Sequence, residues 1–131
     1  MTEMAKSPAA RLEVVIVDDD LAVRNSLEFS LEIEGLTVRS YAGGAELLED
    51  DAFSRCDCLV IDHKLADMNG LDLIGKLRER RNSVPAILIT SHPSLSLREQ
   101  ARRAGVAIVE KPLLGNALLE MICAVVRDGN D

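Results

Sequence analysis

Aspartates stand at positions 18, 19, 20 and 62, a threonine and a serine at 90 and 91, and a lysine before a proline at 111. Each group closes a short apolar run. Residues 14–17 lead into Asp18-Asp19-Asp20, 59–61 into Asp62, 86–89 into Thr90, and 106–109 into Glu110, Lys111 and Pro112. Carboxylates brought to one place repel one another, and a hard divalent cation relieves that repulsion. Mg²⁺ suits a site of two carboxylates completed by water. A lysine adds a compact positive charge for a carboxylate or a phosphoryl oxygen, and a threonine adds a hydroxyl donor. Carboxylate, cation, hydroxyl and lysine are the parts needed to pass a phosphoryl group to an aspartate.

Such a set works only if the fold brings the run ends together. The runs are about four residues long and rich in Val and Ile, as expected of strands buried on both faces. A weaker run spans 36–38 and ends at Ser40-Tyr41, with nothing reactive there. Between the runs, apolar residues recur three and four apart. Val23, Leu27 and Leu31 form one helical face, Leu71, Ile74 and Leu77 with Arg78 a second, and Leu114, Leu118, Ile122 and Val125 a third. Gly35 and Gly105 stand where helices should stop. Ser94 is positioned to cap a helix over 95–104, and Asp20 to cap the one that follows it. The result is five strands alternating with five helices, which implies a parallel sheet with helices on both faces. In such a sheet a site lies beyond the carboxyl ends of the strands.

Length and composition narrow the classes further. At 131 residues and 47% hydrophobic, the chain makes one domain with a sizeable core. We expect that domain over 12–126, with flexible ends at 1–11 and 127–131. A net charge of −7 argues against nucleic-acid binding, and two Phe and one Tyr are too few for a base-stacking platform. Residues 12–67 carry 14 acids against 4 bases, while 68–131 carry 7 against 9, so the chain is acidic early and mildly basic late. Cys56, Cys58 and Cys123 fit neither a disulfide framework nor a common zinc spacing, and read as small buried hydrophobes of a reducing compartment. No apolar run reaches the ~20 residues that span a bilayer, and the start lacks the apolar stretch of a signal peptide. A cytoplasmic location with no membrane partner is expected.

The segments VVIVDDDLAVRNSL, LVIDHKLADMNGLDLI, PAILITS and VEKPL, in this order and at this spacing, resemble the receiver domain of two-component response regulators over roughly residues 12–126. The resemblance implies a flavodoxin-like doubly wound fold, a (βα)5 unit with strand order 2-1-3-4-5. It implies that Asp62 is the phosphoacceptor and that Asp19 and Asp62 bind Mg²⁺ directly. Asp18 would assist through water, the Lys64 carbonyl would complete the protein ligands, and Thr90 and Lys111 would contact the phosphoryl group. The donor would be a sensor histidine kinase or a phosphotransfer protein. Such a chain is a phosphoacceptor that catalyses its own phosphorylation and dephosphorylation, not an enzyme acting on other substrates.

Three positions depart from the family pattern. Ala66 stands where many receivers have proline, Ile108 where the family has a switching Tyr or Phe, and Leu113 where Phe is frequent. The chemistry should survive these changes; the route of the conformational signal is what they alter. His63 and His92 flank the site and read as loop side chains. In receivers the positions of Lys64 and His92 tune the lifetime of the acyl phosphate.

With only about five residues after the last helix, a stand-alone receiver has no DNA-binding output and its signal must leave through protein contacts; the alternative is that this is the receiver half of a longer regulator. The resemblance points to the face of the fourth helix, fifth strand and fifth helix. Arg98, Arg102 and Arg103 there, with Arg78, Arg80 and Arg81 nearby, suit an acidic partner or a second copy. Two rival readings remain: a pseudo-receiver that binds partners without phosphorylation, and a haloacid dehalogenase-like phosphatase with Asp18 as nucleophile and Asp20 as acid. The second lacks the further acidic pair that such enzymes use for Mg²⁺.

Overall fold

The computed structural model describes residues 12–50, 55–113 and 116–129. Its elements alternate as β1 (Glu13–Val17), α1 (Leu21–Ile33), β2 (Thr37–Tyr41), α2 (Gly44–Glu49), β3 (Cys58–Asp62), α3 (Gly70–Glu79), β4 (Ala86–Thr90), α4 (Leu95–Ala104), β5 (Ala107–Glu110) and α5 (Ala117–Gly129). The strands form one parallel sheet in the order β2-β1-β3-β4-β5, the doubly wound order expected.

Alternation along the strands divides the core into two layers. Val15, Val17, Leu59, Ile61 and Leu88 face one side and pack on Leu47 of α2, Leu73, Ile74 and Leu77 of α3, and Ala101 of α4. Their neighbours Val14, Ile16, Val60, Ile87 and Ile89 face the other and meet Leu27 and Leu31 of α1 and Leu118, Ile122 and Val126 of α5. Every residue of β3 and β4 is buried, which is why those segments read as unbroken apolar runs. The edge strands β2 and β5 are only partly covered.

The elements stop and start where their local chemistry directs. The Asp20 carboxylate accepts from the Ala22 and Val23 amides and caps α1; Asn69 and Ser94 do the same for α3 and α4. Gly105 ends α4 at φ 71°, a left-handed conformation in which a Cβ would be strained. The helix over 95–104 has the limits expected.

Several details differ from expectation. β2 begins at Thr37 rather than 36, because the Leu36 amide still donates to the Leu31 carbonyl at the end of α1, while the Thr37 amide reaches Leu12. In α3 the fully buried residues are Leu73, Ile74 and Leu77, while Leu71 only flanks the core. In α5 the four-residue step from Leu118 through Ile122 arrives at Val126, so Val125 lies at the rim. Leu114 and residues 1–11 lie outside the described residues. α5 continues to Gly129, past the limit expected at 126; Arg127 suits the negative end of a helix, so the turn continues through it.

Candidate active site

Asp18, Asp62 and Thr90 are the buried polar residues among those described, and all three close strands at one edge of the sheet. Asp18 follows β1, Asp62 ends the central strand β3, and Thr90 ends β4 beside it. Asp19 joins them from the β1–α1 turn. One carboxylate oxygen from each of Asp18, Asp19 and Asp62 lies within 4.8 Å of the others.

Local bonds hold each member in place. The Asp18 Oδ1 accepts from the Asp20 amide at 2.9 Å, and its main-chain oxygen accepts from the Arg24 guanidinium at 2.6 Å. Burial lifts the Asp18 carboxyl above its usual range; the charge of Asp62 adds to that, while the Asp20 amide and Lys111 oppose it. The Lys111 ammonium lies 3.3 Å from Asp62 Oδ1. Its amide donates to the Thr90 carbonyl at 2.9 Å, tying the end of β5 to the end of β4. The Lys111–Pro112 peptide is cis.

The loop after Asp62 folds tightly back on the strand. The His63 amide donates to Ile89, the Gly70 amide returns to the His63 carbonyl at 2.7 Å, and Lys64 pairs with Asn69. A Cβ at Gly70 would sit 2.7 Å from the Asp62 carbonyl and 2.7 Å from Leu88 Cδ1, so only glycine admits this approach. Lys64 itself is exposed.

The strand ends thus gather Asp18, Asp19, Asp62, Thr90 and Lys111. Spacing alone did not reveal Arg24, whose role rests on reaching a main-chain oxygen, nor Asp67, described below. Asp20 spends one carboxylate oxygen on capping α1, the role expected of it. His63 leaves its Nδ1 buried without a hydrogen-bond partner, and His92 adopts φ 48° in the β4–α4 loop. Ile108 packs against the α3–α4 side of the core.

Residues 14–123 match the family model for the response regulator receiver domain. The chain belongs to the response regulator receiver family. It is 33% identical over 116 residues to the C4-dicarboxylate transport transcriptional regulatory protein DctR of Rhodobacter capsulatus, covering 86% of this chain and 59% of that protein. It is 34% identical over 110 residues to the transcriptional regulatory protein FixJ of Rhizobium meliloti, covering 83% of this chain and 54% of that one. The chain therefore spans just over half the length of these curated relatives. A CheY-like receiver domain from Methanospirillum hungatei superposes with a TM-score of 0.79 at 31% identity, covering 89% of this chain and 94% of that structure.

The arginines that made the α4–β5–α5 face look basic are engaged within the receiver. Arg98 pairs with Glu110, and Glu99 takes both Arg102 and Arg103. Arg78 donates to the carbonyls of Asn82 and Val84 behind α3, and Arg80 to that of Leu48 at the end of α2. That surface is a mosaic of paired charges rather than a bare positive patch.

Proposed function

We propose that this receiver accepts a phosphoryl group on Asp62 from the phosphohistidine of a sensor histidine kinase or phosphotransfer protein, in a Mg²⁺-dependent reaction. The observation that carries this reading is the Asp62 carboxylate itself. It is buried at the end of the central strand, 3.3 Å from a lysine ammonium and within 4.8 Å of two further carboxylates. An all-oxygen set of clustered acids fits a hard cation better than zinc or copper. Asp19 and Asp62 would hold it directly, Asp18 through water, and the Lys64 carbonyl would complete the protein ligands. When bound, the ion neutralises charge on the oxygens in transfer.

In the forward step an Asp62 oxygen forms a bond to phosphorus as the P–N bond to the donor imidazole breaks, and the imidazole leaves with the electron pair and takes up a proton. Lys111 moves its charge from the free carboxylate to a phosphoryl oxygen, and the Thr90 hydroxyl donates to another. In a separate hydrolytic step, water attacks phosphorus, the P–O bond to Asp62 breaks, the carboxylate is freed, and inorganic phosphate leaves carrying the water oxygen while a proton passes to solvent. The receiver thus catalyses its own phosphorylation and dephosphorylation.

The output of this receiver we assign to protein contacts through α4, β5 and α5, with a downstream protein or a second copy. Ile108 gives this face no aromatic ring to swing, so its signal travels by shifts of Thr90 and of the loops around it. The three free cysteines agree with the reducing cytoplasm, and no helix among the described residues is long and apolar enough to cross a membrane. The test is intact mass after incubation with Mg²⁺ and acetyl phosphate, beside Asp62→Asn and Asp18→Asn. One added phosphoryl group in wild type, absent in Asp62→Asn, is expected. No gain under any condition would favour the pseudo-receiver, and label dependent on Asp18 but not on Asp62 would revive the phosphatase.

A further inference from the structure

Seven residues, 63–69, connect Asp62 to α3, and they carry Lys64. The loop is tied at its two ends by the His63–Gly70 and Lys64–Asn69 pairings, and Leu65 anchors it in the core. Ala66 supplies none of the stiffness that a proline would bring there. One further tie lies outside the loop. The Asp67 carboxylate crosses to the start of α2, where Oδ1 accepts from the Gly44 amide at 3.2 Å and Oδ2 from the Ala45 amide at 3.0 Å.

Both partners are shaped for this contact. α2 is short, and its own N-cap, Gly43, has no side chain to satisfy those amides. A Cβ at Gly43 would stand 3.2 and 3.3 Å from the two Asp67 oxygens, and one at Gly44 would stand 2.6 Å from Met68 Sδ. The glycine pair lets the loop lie against the helix. The two amides also draw the Asp67 carboxyl below the usual carboxylate range, Ala45 more than Gly44.

We infer that Asp67 is a positioning residue for the metal site: by fastening the middle of the loop to α2, it holds the Lys64 carbonyl and the segment after Asp62 where a cation requires them. This rests on the Mg²⁺-dependent reading above. The same carboxylate links α2 to any movement of the loop.

The experiment measures the Mg²⁺ dissociation constant by calorimetry, with the melting temperature beside it, for wild type, Asp67→Ala and Asp67→Asn. Both substitutions remove the same charge, but asparagine keeps one acceptor oxygen for the α2 amides. Asp67→Ala should weaken Mg²⁺ binding about 10-fold, the effect of losing a group that orients a metal ligand, and Asp67→Asn should recover much of that loss. Equal weakening in the two variants would reduce the effect to charge and overturn the inference. A lower melting temperature with unchanged affinity would make Asp67 a helix cap alone and overturn it too. If wild type itself bound no Mg²⁺, the metal-dependent reading would fall first and the inference with it.

Discussion

The ammonium of Lys111 stands 3.3 Å from Oδ1 of Asp62, at a point where the oxygens of Asp18 and Asp19 also gather. One cation thus serves a cluster of three acids. It also occupies the neighbourhood that a divalent ion would share, so the lysine is both a stabiliser of the acid cluster and a competitor with the ion for it.

Replacing Lys111 by methionine should separate those two effects. The pair is partly exposed on the lysine side, so the loss of stability should be about 1 kcal/mol, well below that of a fully buried pair. Calorimetry should find Mg²⁺ bound no more weakly than in wild type, while mass spectrometry finds little acyl phosphate. Weaker Mg²⁺ binding would mean that Lys111 supports the acids rather than competing for them.

Asp18 has the opposite character, since burial disfavours its charge. Its carboxyl holds a proton more tightly in the folded protein than in the unfolded chain. As pH rises from the unfolded value near 4 through the higher folded one, stability falls; above both, the penalty is constant. In chelator-containing buffer, Asp18→Asn should melt above wild type at neutral pH, and the gap should close as the pH drops toward 4. The amide oxygen can still accept from the Asp20 amide. A gap independent of pH would place its origin outside the charge of Asp18.

Gly70 and Gly75 lie in one helix and should respond in opposite ways to alanine. A Cβ at Gly75 meets nothing within 4 Å, so Gly75→Ala should stabilise by about 0.5–1 kcal/mol through lost chain entropy. At Gly70 the same methyl would press on the Asp62 carbonyl and Leu88, costing about 1–3 kcal/mol and displacing the phosphoacceptor. Urea midpoints should therefore move apart, and acyl phosphate formation should fall only in Gly70→Ala. Equal labelling of the two variants would mean that the wedge against Asp62 is not needed.

Most of this site is legible in the sequence because its residues terminate strands, and a strand buried on both faces announces itself as an unbroken apolar run. Asp62, Thr90 and Lys111 were found in that way, and Asp20 as a cap by its place before a helical face. Edge strands carry a weaker signal: β2 mixes Thr, Arg and Ser with Val because none of its residues is fully buried, and it starts one residue later than the apolar run suggests. Leu73 and Val126 escape the pattern because Leu71 and Val125, apolar neighbours one or two residues away, fit the three-and-four spacing equally well. Asp67 could not be read at all. Its partners are main-chain amides 22 and 23 residues away, and a carboxylate that caps another element leaves no local spacing to recognise. The pairing of Arg102 and Arg103 with Glu99 was open to inspection, since both lie within one helical turn of it.

The sheet is sealed at its centre and open at its rim, with β3 wholly buried and β5 only partly so. Asp62 hangs from the first and Lys111 follows the second. Segments with little buried surface open locally at far lower free energy than a central strand. Amide deuteration should therefore run unevenly across the site, fast at 107–111 and slow at 58–62. That pattern would mean that the segment carrying the lysine opens while the strand carrying the carboxylate stays formed, so that losing the lysine from Asp62 needs no disturbance of the scaffold that holds the acids.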